Sequence, residues 1–220
     1  MKKPTLLLAI MCITICISIS SCKKDALEKQ QQRIDEIIPA KYLDTLKKLG
    51  ATINTGIKPP NIEGIYYLNP AKLKASNIPG SVVGSIFGSV KIKFSSQNND
   101  DFSIQYISNQ GSVSDTSQFT AISGSGNKFT VYGRTKATTS YNSDYAFFSI
   151  VFSGEKDGST IKNLEWSFIN SDDSHGGSTF IEEGQSRVIY DGDFNSESIT
   201  TLRKNGTQPM HTNPSSIYRR

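Results

Sequence analysis

Two hundred and twenty residues, 20% charged, 36% hydrophobic and 10% aromatic, suffice for one packed domain and exclude a wholly disordered chain. The formal charge of +4 and the three cysteines both shrink once residues 1–21 are set apart: the balance falls to +2, and Cys22 alone remains. A strongly basic nucleic-acid binder, a disulfide-stapled module and a multi-cysteine metal protein are thereby disfavoured.

Lys2-Lys3 precedes a charge-free apolar run, Leu6–Ile19. Its fourteen residues suit the core of a signal peptide and fall short of the ~20 needed to span a bilayer. Ile19-Ser20-Ser21-Cys22 follows, and this resembles a bacterial lipobox. The two serines let a peptidase approach the backbone, and the Cys22 thiol is the atom that takes a diacylglycerol. The resemblance implies removal of residues 1–21 and acylation of Cys22, with palmitate-type chains holding the protein to a membrane, since two or more chains anchor stably. Lys23 after the cysteine points, by the same resemblance, to the outer membrane, with the leaflet open.

Residues 22–58 read as a lipidated tether and short helical stalk. Leu27, Ile34, Ile37 and Ile38 recur at helical spacing, Pro39 interrupts, and Tyr42, Leu43, Leu46 and Leu49 form a second stripe that Gly50 ends. The stripe fits packing against the following domain; a partner-binding face is the alternative.

Pro59-Pro60 marks the change to a period of two, and residues 59–198 read as one β domain. Candidate strands are Ile65–Leu68, Val90–Phe94, Phe102–Tyr106, Phe119–Ala121, Phe129–Val131, Tyr145–Phe152, Leu164–Phe168 and Val188–Tyr190. Short turns such as Ser123–Asn127 and Gly154–Gly158 join most of them, which predicts an antiparallel meander of about eight strands. Closure into a barrel removes the sheet's edges; a β-sandwich is the alternative. Residues 69–88 are too long for a hairpin and read as a cover over a barrel mouth. Residues 199–220 lack periodicity and read as a solvated tail.

A long first loop followed by a meander, with Glu63-Gly64-Ile65-Tyr66 at the first strand, resembles the lipocalin and wider calycin barrels. That likeness implies a cup for one small apolar or amphipathic ligand. The segments 39–50, 58–67 and 184–193 resemble blocks of uncharacterised outer-membrane lipoproteins of Bacteroidetes-type bacteria. This implies the lipoprotein class without implying an activity.

Tyr66, Phe94, Tyr106, Phe129, Phe148, Trp166 and Tyr190 sit at alternating strand positions and are the candidate cavity lining. Asp191, Asp193, Asn195 and Glu197 place oxygens at alternate positions, a partial match to a calcium loop that lacks its central glycine. Asp172, Asp173 and His175 are a weaker cluster, best read as a polar loop. No set of nucleophile, base and metal ligands converges, so no catalytic residue is assigned and the chain reads as non-enzymatic. The expected partners are the membrane, through Cys22, and either a small ligand or an envelope protein or glycan bound by a surface interaction module; no nucleic acid is expected.

Overall fold

In the computed structural model, which describes residues 24–111, 113–202 and Tyr218, two helices open the chain: α1 over residues 24–37 and α2 over Ala40–Lys48. The leader and the acylation residue Cys22 lie outside the described residues. Pro39, extended at ψ 136°, separates the helices. The end of α2 follows from Gly50 at φ +85°: its N–H donates to the Lys47 carbonyl (2.9 Å), and that of Ala51 donates to Leu46 (3.0 Å). These are the paired bonds of a Schellman terminus, which needs a residue free to adopt positive φ.

The strands are β1 Gly64–Leu68, β2 Ala71–Ser76, β3 Val90–Asn98, β4 Ser103–Gln110, β5 Val113–Ser125, β6 Lys128–Thr139, β7 Tyr145–Asp157, β8 Thr160–Asp172, β9 Ser186–Asp191 and β10 Asn195–Ser198. They form one antiparallel sheet of ten strands, ordered β10-β1-β3-β4-β5-β6-β7-β8-β9-β2. A further pairing of β10 with β8 closes eight of these strands into a ring. The fold is mainly β and antiparallel, as the alternation after Pro59-Pro60 leads one to expect.

The seam of the ring departs from a plain meander. β8 pairs with β7 along its length, with β10 at Ile161 and Lys162, and with β9 from Glu165 to Ile169. β9 therefore diverges from the ring and carries β2 at its side. Residues 69–88, expected as a loop over a barrel mouth, are in part a strand, and Phe87 of this segment packs on the interior cluster. Their first part is β2, whose Ala71 and Leu73 are buried between the partly exposed Lys72 and Lys74 while the strand pairs with Asp191–Arg187. The remainder runs back along β2, the Gly84 N–H donating to the Leu73 carbonyl (2.8 Å) and the Phe87 N–H to Ala71 (2.9 Å).

Helices α1 and α2 lie on the outer wall and do not project as a stalk. Ala121, Tyr132, Val151, Ser167 and Val188 stand opposite one another across β5, β6, β7, β8 and β9. Ile34, Ile37, Ile38, Tyr42, Leu43 and Leu46 cover this row and bury Ala121, Tyr132, Val151, Val188 and Ile169 in a second core outside the ring. Polar bonds fix the same contact. Gln30 Nε2 donates to the Gly56 and Ile122 carbonyls (3.0 Å each), Arg33 Nε to Thr120 (2.8 Å), and the Thr52 N–H to the Glu165 carboxylate (3.0 Å). The clamp accounts for the unbroken apolar run in β7: Ile150 faces the interior while Val151 faces the helices, so neither face meets water.

Candidate ligand site inside the ring

Period-two alternation sends one set of side chains into the ring, and six of the seven cavity candidates arrive there. Tyr66, Phe94, Tyr106, Phe129, Phe148 and Trp166 are all at most 2% exposed and belong to one interior cluster. They pack against each other and fill the space between them. Phe152, a residue the sequence reading did not single out, joins them: its ring lies 5.5 Å from Phe94, 5.0 Å from Tyr106 and 5.5 Å from Trp166. The first two contacts are edge-on, the favoured geometry of aromatic quadrupoles. Tyr190 is the exception. Ile189 takes the inward position of β9, so Tyr190 faces out and stacks on the exposed Phe194 at 5.5 Å.

The other end of the ring is built differently. Ser108, Asp115, Ala137 and Ala146 are successive cross-strand partners on β4, β5, β6 and β7. Two alanines in that row leave the inner wall low, and Tyr218 fills the recess. The reading of residues 199–220 as a solvated tail fails at this residue, which is wholly buried. Its ring lies 4.4 Å from Phe148, 4.6 Å from Phe168 and 5.4 Å from Trp166. Its hydroxyl donates to Asp115 Oδ2 (2.8 Å), and its carbonyl accepts the Ile181 N–H (2.8 Å).

Asp115 is the electrostatic centre of this recess. The Ser108 hydroxyl also donates to Oδ2, while Oδ1 is buried with no hydrogen-bond partner among the described residues. Burial pushes the Asp115 carboxyl up to about 7, against the two hydroxyl donors that favour its ionised form. The same burial, with the neighbouring carboxylate, raises the Tyr218 phenol well above its ordinary range. Tyr106, also raised by burial, donates to Thr135 Oγ1 at 3.0 Å. The arrangement holds a proton near neutrality and presents oxygen acceptors to an aromatic ring bearing a donor.

The calcium candidates are spread along a tight turn. Asp191 Oδ1 accepts the Asn69 N–H (3.2 Å) and Oδ2 the Ser196 hydroxyl (2.5 Å), and burial first of all pushes its carboxyl up to about 6. Asp193 accepts the Asn195 N–H (2.9 Å), while Asn195 and Glu197 lie on β10, which pairs with β8 and β1. The oxygens hold the backbone of the β9–β10 connection. Among the described residues no group of three or more His, Cys, Asp or Glu side chains is placed to hold a metal. His175 stacks on Tyr145 at 4.5 Å, and Asp172 is held below the usual carboxylate range chiefly by the Ser174 hydroxyl.

Outside the ring, a groove of about 560 Å³ opens between the helices and the wall, lined by Arg33, Lys41, Tyr42, Phe119 and Arg134 among others. Phe119 is 62% exposed because the pairing of β5 with β6 shifts between Ser117 and Phe119. Comparison with known proteins returns no matching family model, no matching curated protein and no matching solved structure.

Proposed function

We propose that this chain is a lipid-anchored outer-membrane lipoprotein of the Bacteroidetes type whose ring binds, and does not transform, a small apolar or amphipathic ligand. The observation that carries the binding role is the recess at Asp115. A ring made only for rigidity would close that level with its own large side chains, as Phe94, Phe129 and Phe152 do at the other end. Here the strands supply two alanines and an acid, and the filling residue comes from twenty positions beyond the last strand. The anchoring role rests on the leader and on Ile19-Ser20-Ser21-Cys22. Among the described residues no helix is long and apolar enough to cross a membrane.

Metabolic labelling with an alkynyl palmitate tests the anchor. The wild type takes the label and Cys22→Ala loses it; an unlabelled wild type refutes the anchor. Organic extraction of the protein purified from membranes, followed by mass spectrometry, reads the ligand directly. The second reading, a surface interaction module, is favoured by one observation: the exposed Phe119 beside Arg33 and Arg134 on the open groove. A Phe119→Ser chain that loses an envelope partner while keeping its extracted ligand would support that reading beside the first.

A further inference from the structure

The pairing of the outer wall sets an aromatic ring, a cation and a hydroxyl side by side just beyond the helical cover. Phe119 on β5, Arg134 on β6 and Ser149 on β7 are successive cross-strand partners. Each stands two residues along its strand from Ala121, Tyr132 or Val151, so alternation turns all three to the same outer face. The helices bury the row of Ala121 and leave this one as the floor of the groove of about 560 Å³. That volume is within the range of sites for small organic molecules.

Three cations line the groove, Arg33, Lys41 and Arg134, and none belongs to an ion pair among the described residues. Arg33 commits Nε to the Thr120 carbonyl (2.8 Å) and keeps its two terminal nitrogens. The Arg134 guanidinium rests 4.9 Å from the Phe147 ring, and Lys41 Nζ 4.5 Å from that of Tyr42. Asp101 and Asp172 act on Arg33 and Arg134 only through space. The lining holds one acid, Glu36, whose Oε1 accepts Gln32 Nε2 (3.0 Å).

Ser149 is an independent sign of a ligand. It is 1% exposed, it borders the groove, and its hydroxyl has no hydrogen-bond partner among the described residues. The other hydroxyls of the lining are engaged: Tyr42 on the Ser171 carbonyl (3.4 Å), Thr120 on that of Ile104 and Ser171 on that of Phe147 (3.0 Å). A buried hydroxyl left without a partner carries a desolvation cost that an oxygen from outside relieves.

We infer that the groove is a binding site for free amphipathic carboxylates, the head on Arg134 and Ser149 and the apolar body along Phe119, Ile37 and Tyr42. A guanidinium fork with a hydroxyl beside it matches the two oxygens of a planar carboxylate. A bare anion would leave the exposed Phe119 in water, so the ligand carries an apolar part. The site is on the outer wall and stands independently of a ligand in the recess at Asp115.

The experiment uses the whole mature chain, residues 22–220, with Cys22→Ala to keep it in water and amide NMR spectra confirming the fold of each variant. Octanoate, octan-1-ol, acetate and inorganic phosphate are titrated by calorimetry. Octanoate is expected to bind at one site, at least about tenfold more tightly than octan-1-ol, which lacks the charge, and than acetate, which lacks the body. Arg134→Gln should weaken octanoate at least about tenfold and leave octan-1-ol unchanged. Asp115→Asn, inside the ring, should leave octanoate unchanged. Equal binding of octanoate by wild type and Arg134→Gln overturns the proposal, and a loss confined to Asp115→Asn overturns it by moving the ligand into the ring. Phosphate bound as tightly as octanoate overturns the amphipathic class. A groove that takes no octanoate, yet holds phosphatidylglycerol vesicles or a protein partner through Phe119, overturns it as well. Should Arg134→Gln fail to fold, Lys41→Gln on the exposed side of α2 removes a cation without touching the wall. Octanoate must then weaken at least about threefold, and no change overturns the proposal.

Discussion

Asp115→Asn isolates the one carboxyl buried in the recess. In the folded chain burial pushes this group up to about 7, and in the unfolded chain it returns to its ordinary value near 3.8. Between those values the folded state keeps a proton that the unfolded state has released, so stability is fully present below about pH 4 and falls as pH rises toward 7. Roughly three units at 1.36 kcal/mol each amount to about 4 kcal/mol lost across that window. Asparagine keeps an amide oxygen for the Ser108 and Tyr218 hydroxyls and cannot ionise, so this component of the pH dependence disappears. Asp191, raised to about 6, acts in the same direction, whereas Asp101 and Asp172, lowered chiefly by the Ser103 and Ser174 hydroxyls, act in the opposite one. All three are common to both chains and cancel in the difference. Urea unfolding from pH 4 to 8, followed by fluorescence of the single tryptophan, Trp166, gives that difference directly. The variant is expected to gain on the wild type by about 4 kcal/mol between pH 4 and pH 8. Parallel profiles would refute the assignment of a strained carboxyl to this recess.

Two further substitutions test the frame around the site. A Cβ on Gly133 would come within 2.6 Å of the Tyr106 ring, which is wholly buried and held by Thr135, so neither partner has room to give. Gly133→Ala should cost about 1–3 kcal/mol in urea unfolding, and an unchanged midpoint would refute the close contact. Leu46 is wholly buried between α2 and the outer wall, so Leu46→Ala should cost about 2–5 kcal/mol and expose α1 and α2 to protease. A ring that melts unchanged in that variant would show the helices to be independent of it.

Much of the frame was legible because its causes are local. The stop at Gly50, the change of period after Pro59-Pro60 and the inward set from Tyr66 to Trp166 follow from backbone freedom and alternation. The helix stripe identified its own buried face, though not the surface it would meet. Elsewhere the deciding information is non-local. β10 is Asn195–Ser198, four polar residues that close the ring through main-chain bonds to β1 and β8, so no apolar pattern announces it. β2 does alternate, Ala71-Lys-Leu-Lys-Ala75, but it pairs with β9, more than a hundred residues away, and lies where loop signals dominate. Tyr190 was misplaced by parity, since Ile189 takes the inward place on β9, and the register shift that leaves Phe119 exposed on β5 has no signal in the sequence.

The recess shows why a site can be invisible until register is known. Ser108, Asp115, Ala137 and Ala146 lie on four strands, and in the linear chain each passes as a small or polar interruption of an alternating pattern. Only the pairings Ser108–Asp115, Asp115–Ala137 and Ala137–Ala146 place the acid and the two small side chains at one level. A lone tyrosine in a non-periodic segment carries no pattern of its own, so its partner cannot be inferred from either half separately. Missing volume beside a buried acid and an aromatic donor outside the strands are complementary halves of one feature. It follows that enlarging Ala137 or Ala146 would displace Tyr218 while leaving every strand pairing intact. The recess is thus set by side-chain volume on a ring whose closure depends on the backbone.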